Sequence, residues 1–332
     1  MNGDSARVLL TGASGVIGSR LLPVLAARHR VTALTRQRAV PEAVRCVAAD
    51  VRVPGLGLDH DTWRRLREET DIVVHCAGVS GFTLSNLDMF KEINVWGTRN
   101  VLDLAAEAAV PVVMMSSTSA AQDYTDDDPT SRALRAYADS KRRAEQLAAA
   151  CPEPVAMIRT ALLLVGSNDG AADPRQQFPP VLLEALLRGR VRRLPVTSGH
   201  WFDAIRVETL VRYTAAVVEA MLDVPGAVPS LHWATAGPAR LTMADVMAAC
   251  STVAAAAGLP FRHPELQPSA EPRRGLERLV QLGLFAPDAP PFPSTLGSVA
   301  GGPVPPQRSE LLSALEANTS LVSQWLSAAV TR

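Results

Sequence analysis

Hydrophobic positions along the chain follow two periods. Val8-Leu9-Leu10 is a compact apolar run that halts at Thr11-Gly12-Ala13-Ser14-Gly15-Val16-Ile17-Gly18 and resumes at Leu21-Leu22 with helical spacing, which predicts a strand, a tight turn and a helix. The same alternation continues downstream. Val31–Thr35, Val44–Val51, Asp71–Gly78, Val112–Met115 and Pro154–Arg159 read as further strands, being short, apolar and rich in β-branched residues. Between and after them, helical spacing appears around Trp63–Glu69, over Glu92–Ala109, from Tyr137 to Ala150 and over Val207–Ala220. Wide apolar strands interleaved with helices suit a parallel sheet covered on both faces. The expected fold is therefore α/β, a Rossmann-type doubly wound parallel sheet with a smaller C-terminal substrate lobe. Residues 1–165 are expected to form the nucleotide-binding core, with 201–225 returning to it, and residues 166–200 and 226–332 the lobe. Thr242-Met243-Ala244-Asp245-Val246 reads as a helix start, and Ala286–Gln307, rich in Pro and Gly, as a long surface loop. A last helix is expected from about Ser309, with Leu311, Leu312, Leu315, Leu321, Val322, Trp325 and Leu326 as its apolar stripe.

Composition narrows the partners. The chain has 332 residues, 47% hydrophobic and 20% charged, enough to bury a substantial core. Its 33 basic and 33 acidic residues cancel, so no global field favours nucleic acid or an anionic membrane. Cys46, Cys76, Cys151 and Cys250 lack paired spacing, which argues against a zinc site and a disulfide framework and fits a reducing cytoplasm. No apolar run reaches the roughly 18 residues of a membrane span, and Met1–Arg7 has no signal-peptide core.

The glycine turn carries the first chemistry. Gly12 and Gly15 permit backbone angles closed to other residues and let a pyrophosphate approach the main chain, Gly18 permits close helix packing, and the intervening Ser14, Val16 and Ile17 complete a candidate phosphate turn. The first-turn amides and dipole of the following helix face the anion. At the end of the second strand Arg36, followed by Arg38, stands where an acid would select NAD, and no acid occurs from Val31 through Val40, so the expected cofactor is NADPH rather than NADH. Asp50 and Val51, ending the third strand, are candidates for the adenine end. Cys76-Ala77-Gly78, small residues ending the fourth strand, leave room for a cofactor against the backbone. His75 receives no chemical role, since neither an acid nor a nucleophile accompanies it in sequence.

In Tyr137-Ala138-Asp139-Ser140-Lys141 the phenol and the ammonium are four apart and share a helix face. They can meet around one bound ribose. A cation beside a phenol favours phenolate, lowering a pKa ordinarily near 10 and making the group a proton donor or acceptor near neutrality. A hydroxyl such as Thr118, at the end of the fifth strand, completes an oxygen-binding set.

Thr11–Gly18, Asn94-Val95-Trp96-Gly97-Thr98, Ser116-Ser117-Thr118 and Tyr137–Lys141 together resemble the motif series of the extended short-chain dehydrogenases/reductases, over nearly all of residues 6 to 225. The resemblance implies hydride transfer at a nicotinamide, with Thr118, Tyr137 and Lys141 as catalytic hydroxyl, acid/base and lysine, Gly12, Gly15 and Gly18 as phosphate turn, and Asn94, Tyr137 and Lys141 near the cofactor. Asp50-Val51-Arg52-Val53-Pro54-Gly55-Leu56-Gly57-Leu58 and Gly166-Ser167-Asn168-Asp169-Gly170-Ala171 resemble the thioester reductase domains of nonribosomal peptide synthetases and carboxylic acid reductases. Arg159-Thr160 and Ile205-Arg206-Val207-Glu208-Thr209 depart from that pattern.

These readings lead to an NADPH-dependent oxidoreductase that transfers hydride to a carbonyl, with reductive release of an acyl thioester from a carrier protein or coenzyme A as the leading substrate class. Arg188, Arg190, Arg192 and Arg193 form a basic run that suits a carrier protein or a pantetheine phosphate and equally suits a solvated helix end. The alternatives are reduction of a free ketone or aldehyde, epimerisation or dehydration of a nucleotide sugar, and non-catalytic dinucleotide sensing on the same fold.

Overall fold

The computed structural model describes residues 5–36, 40, 45–79, 87–166, 177–224, 226, 229–268 and 276–330. Seven parallel strands form one sheet in the order β11-β6-β5-β4-β1-β2-β3. They are β1 (Arg7–Thr11), β2 (Arg30–Thr35), β3 (Arg45–Ala48), β4 (Ile72–His75), β5 (Val112–Ser117), β6 (Val155–Thr160) and β11 (Leu231–Ala234). The expected Rossmann-type doubly wound sheet is present, with smaller sheets and helices towards the C-terminus. β3 is shorter than the Val44–Val51 expected, and Val44 lies outside the described residues.

Strand geometry explains the two cores. Successive side chains point to opposite faces, so Val8 and Leu10 of β1 join one apolar cluster with Ile72, Val74 and Val113, while Leu9 joins the other with Val73, Val112 and Met114. Helices α1 (Gly18–Ala26) and α6 (Val207–Asp223) cover the first face, through Leu21, Leu22, Leu25, Leu210 and Val217. On the second face lie α2 (His60–Glu68), α3 (Gly97–Ala108) and the later turns of α4 (Pro129–Ala149), through Leu66, Val101, Leu104, Ala144 and Ala148. Both faces being apolar, each central strand reads as a continuous hydrophobic run.

The helix expected over Glu92–Ala109 differs at its start. Phe90–Trp96 is a wide π-helical segment, and regular α-helix begins only at Gly97. There, a Cβ would stand 3.0 Å from Val51 Cγ2, so a larger residue would push the helix away from the end of β3. Wide turns of this kind concentrate at functional sites.

Beyond β6, the short strands β7 (Leu162–Leu164) and β10 (Ala204–Arg206) pair in parallel, β9 (Trp201–Phe202) pairs antiparallel with β12 (Leu241–Thr242), and β8 (Arg193–Leu194) pairs with β13 (Glu265–Leu266). Four helices accompany them: α5 (Phe178–Leu187), α7 (Met243–Ala257), α8 (Leu276–Gly283) and α9 (Arg308–Val330). Thr242 starts α7 with a capping box, donating to Asp245 and receiving its amide in return. From α9, Leu311, Leu315, Val322 and Leu326 enter the core as the expected stripe, and Leu312 and Trp325 flank it. Residues 286–307 carry no helix or strand, as expected, yet they are fastened: Thr295 Oγ1 accepts from the Trp233 amide at 2.8 Å and is hydrogen-bonded to the Tyr213 hydroxyl at 2.8 Å. No helix among the described residues is long and apolar enough to cross a membrane.

Candidate active site

The turn after β1 is built by exclusion of side chains. Gly12 has φ +71°, and a Cβ there would lie 2.5 Å from the Ala77 nitrogen and 2.6 Å from the Cys76 carbonyl carbon. A Cβ on Gly18 would lie 2.1 Å from the Gly12 oxygen. β1, β4 and α1 therefore converge only because both residues are glycine. Gly15 donates to the Gly12 carbonyl at 2.9 Å, and nothing but that oxygen lies near its absent side chain. Ile17, at the start of α1, offers no side-chain cap; in the first turn the Ser19 amide donates to the Gly15 carbonyl at 3.0 Å and the Arg20 amide to the Ile17 carbonyl at 3.1 Å. A helix N-terminus and an uncovered Gly15 suit the diphosphate of a dinucleotide, with Ser14 and Val16 on the same turn.

The end of β2 differs from its appearance in sequence. Arg36 is exposed, and Asp50 arrives beside it because β3 pairs with β2 in parallel. The Asp50 carboxylate accepts from the Arg52 amide at 3.0 Å and from its guanidinium at 2.6 Å, which, with the Arg36 charge, holds it below the usual carboxylate range. Val51, next in the chain, gives its carbonyl to Asn100 at 2.8 Å. Arg38 lies outside the described residues.

His75 is a structural link. The Thr11 hydroxyl accepts from the Ala77 amide at 3.2 Å and pairs with His75 Nδ1 at 2.7 Å; His75 Nε2 pairs with the Thr98 hydroxyl at 3.2 Å, which donates to the Asn94 carbonyl at 2.7 Å. Donors and acceptors balance along this chain when the ring is neutral with its proton on Nε2. Burial, with Lys141 adding to it, pushes the imidazole pKa down to about 3, so neutrality is the stable state. Asn94 is likewise occupied: its carbonyl accepts from the Val79 amide at 2.9 Å and its amide donates to Ser140 at 3.0 Å and to the Val79 carbonyl at 3.1 Å. It fixes the backbone after β4 against α4.

Tyr137 and Lys141 stand on one face of α4 as the spacing predicts, both buried, and line a cavity with Ser117, Thr118, Cys76 and Gly78. Asp128 orients this helix, its carboxylate accepting from the Thr130 amide at 2.9 Å and the Ser131 amide at 3.2 Å. Gly78 leaves room here, since a Cβ would stand 3.3 Å from Lys141 Nζ and from the Asn94 side-chain oxygen. Lys141 Nζ reaches the Met115 carbonyl at 3.5 Å. Burial lowers its pKa to about 8 against the opposing charge of Glu145, which leaves the ammonium predominantly charged at neutral pH. Tyr137 departs from the expected lowering. Burial raises its pKa, and the group that opposes the rise is the Ser117 hydroxyl on the wall of the same cavity. Thr118 opens a short 3-10 turn after β5 and borders the same cavity.

One element of this site has no signal in sequence spacing. Glu145, one turn beyond Lys141, accepts from the Ser116 hydroxyl at 2.6 Å and takes both sides of the Arg159 guanidinium, at 2.8 and 2.6 Å. Arg159 in turn lies 4.8 Å over the Trp233 ring. The departure at Arg159-Thr160 is therefore a bolt joining α4, β5, β6 and β11. Among the described residues no group of three or more His, Cys, Asp or Glu could hold a metal ion.

Comparison with known proteins gives a family and a fold. Residues 31–214 match the family model described as Male sterility protein. A Stigmatella aurantiaca 4-hydroxy-2-methyl-3-oxo-4-farnesyl-3,4-dihydroquinoline-1-oxide ketoreductase is 29% identical over 231 residues, 65% of this chain and 63% of that one. Trichosetin synthetase PKS-NRPS1 of Gibberella fujikuroi is 33% identical over 122 residues, 33% of this chain but 3% of the synthetase. Among solved structures, UDP-glucuronic acid 4-epimerase from Bacillus cereus in complex with NAD superposes with a TM-score of 0.65 at 15% identity, covering 96% of this chain and 99% of that one. The Bordetella bronchiseptica enzyme WbmG, also in complex with NAD, gives 0.65 at 15% identity, covering 95% and 94%. These complexes overturn the expectation of NADPH. The physical reason lies at β2, where the cation Arg36 has the acid Asp50 at its side, supplied by the neighbouring strand and invisible along β2 itself.

Proposed function

The chain belongs to the Male sterility protein family and has the extended short-chain dehydrogenase/reductase fold of an NAD(P)-binding oxidoreductase or epimerase, and from that premise we propose that it is an NAD-dependent enzyme exchanging hydride at one carbinol or carbonyl carbon of a small molecule. A nucleotide sugar is the first substrate class in this reading, with oxidation at a ring carbon followed by epimerisation or dehydration. The observation that carries the proposal is the convergence of Ser117, Thr118, Tyr137 and Lys141 on one buried cavity below the glycine turn. The likeness to UDP-glucuronic acid 4-epimerase over nearly the whole chain supports the substrate class.

NAD, when bound, supplies the hydride acceptor and donor. Gly12, Gly15 and the N-terminus of α1 would hold its diphosphate, and Asp50 lies where an adenosine hydroxyl or amine would find an acceptor. The hydroxyls of Ser117 and Thr118 would hold the substrate oxygen. In oxidation the Tyr137 phenolate takes the proton from the substrate hydroxyl as the carbon loses hydride, and in reduction the phenol returns it. Lys141, on the same cavity wall, would hold the ribose of the bound cofactor beside Tyr137.

A second reading, reduction of a free ketone, has specific support from the likeness to the Stigmatella ketoreductase. Release of a carrier-bound thioester rests on synthetase matches confined to 3–6% of those proteins. The basic run adds little to it, because Arg188 is paired with Glu184 at 2.8 Å one turn back on α5. The test is turnover of nucleotide sugars, ketones and acyl thioesters with NAD+ and NADH, with products identified by mass spectrometry and chromatography. Isomerised or dehydrated sugar supports the first reading, and thioester reduction alone would refute it.

A further inference from the structure

A second cavity opens from the first across Thr118, Ser119, Leu162 and Phe178, which border both. Its remaining walls come from distant stretches of chain: Leu134 of α4, Phe202 of β9, Leu279 and Gly283 of α8, and the rings of Phe285 and Phe292. More of the surface offered is apolar than polar. Three polar side chains beyond Thr118 and Ser119 also line it, and each already has partners. The Tyr124 hydroxyl donates to Gln122 at 2.5 Å, and the Asp203 carboxylate accepts from the Ala236 amide at 2.7 Å and the Gly237 amide at 3.2 Å. Satisfied polar groups make no demand on a ligand, whereas apolar walls gain from covering.

The walls are fixed in place. Phe285 stacks on Trp201 with ring centres 4.4 Å apart, and Phe292 packs edge-on against Phe285 at 5.3 Å. α8 is pinned to the start of α4 by Arg278, whose guanidinium donates to Asp128 at 3.0 Å and also pairs with Asp126. A pocket of this kind beside Thr118 faces whatever is attached to the carbon whose oxygen Thr118 holds.

We propose that this second cavity is a substrate subsite for an uncharged, apolar substituent on or next to the reacting carbon. The inference rests on the oxidoreductase reading above. Two sources share that chemistry: the alkyl or aryl arm of a free ketone, and a deoxygenated carbon of a nucleotide sugar. An anionic substituent is disfavoured by the buried Asp203 carboxylate.

Gly283 gives the test its handle. A Cβ there would sit 3.5 Å from Phe178 Cζ, ordinary contact, so Gly283→Ala is tolerated and Gly283→Leu fills the cavity. The probes are methyl ketones from acetone to 2-octanone with NADH, and UDP-glucose against UDP-6-deoxyglucose with NAD+. For the unmodified protein, kcat/KM should rise roughly threefold to fourfold per added methylene until the pocket is full, or by a similar factor on removing the sugar 6-hydroxyl. Which series responds identifies the source. Gly283→Leu should lower kcat/KM for the preferred probes by about 10-fold or more and leave acetone, which has no arm to place there, unchanged. Leu279→Gln is the second variant, with the same expectation. Binding of 2-hexanone and of UDP-6-deoxyglucose to Tyr137→Phe protein with bound cofactor, measured by calorimetry, separates the two claims. Binding that Gly283→Leu weakens, without turnover of any probe by the unmodified protein, sinks the reaction and supports the subsite. Binding and kinetics indifferent to arm length and to both variants overturn the subsite.

Discussion

The Ser117 hydroxyl and the Tyr137 phenol border one cavity, where the end of β5 meets the middle of α4, and the hydroxyl favours the phenolate. It opposes the burial that raises the tyrosine pKa, and so it does part of the work that sequence spacing assigns to Lys141 alone.

Ser117→Ala should therefore shift the pH dependence of oxidation. The phenolate is the base, so kcat/KM rises with pH through the Tyr137 pKa; losing the neighbouring hydroxyl that favours phenolate raises that pKa and moves the rise to higher pH. A polar neighbour of this kind is worth about 0.5–1.5 kcal/mol, so the rate at pH 7 should fall by roughly 2- to 10-fold. Superimposable pH profiles for the two proteins would assign the proton to another group.

Cofactor choice follows from Arg36 and Asp50. NAD+ should bind more tightly than NADP+ in calorimetry, because Asp50 places beside Arg36 the carboxylate that accepts from an NAD ribose hydroxyl. Gly18→Ala should abolish binding of either, since its Cβ would meet the Gly12 oxygen at 2.1 Å. Tighter NADP+ binding would contradict this account of the β2 end.

Asp128 both caps α4 and pairs with Arg278, which hold its pKa down at about 2 despite burial. Asp128→Ala should cost about 0.5–2 kcal/mol for the lost cap, with the ion pair adding to it. The folded pKa lies below the ordinary value of 3.8, so the contribution is complete above about pH 4 and disappears as pH falls towards 2. Chemical denaturation at pH 7 and pH 3 should show a smaller gap between the proteins at the lower pH.

His75, with a folded pKa of about 3 against 6.5 when unfolded, stabilises the protein fully above about pH 6.5, and that contribution declines as pH falls below it. The ring should show no titration between pH 5 and 8 by NMR. A proton taken up in that range would contradict the hydrogen-bond chain through Thr11 and Thr98.

Sequence made the local relationships legible and the strand-to-strand ones opaque. Gly12, Gly15 and Gly18 announce the turn because each acts within its own short loop, and Tyr137 and Lys141 declare their shared face through helix geometry. Asp50 beside Arg36 depends on β2 pairing with β3, Glu145 with Arg159 on β6 packing under α4, and the apolar cavity on α8 being pinned to α4. Such contacts arise from tertiary packing, which periodicity does not encode. Asn94 shows the converse: its motif is plain in sequence, yet its amide is committed to Val79 and Ser140.

The most direct test of the central claim is Tyr137→Phe. NAD+ affinity and NAD-linked turnover of nucleotide sugars and ketones would be measured on the same preparations, with products identified. The account predicts cofactor affinity within about twofold of the unmodified protein, because the ring still packs, and turnover reduced roughly 10²–10⁴-fold, the usual contribution of a positioned acid/base. Undiminished turnover by the phenylalanine variant would contradict it.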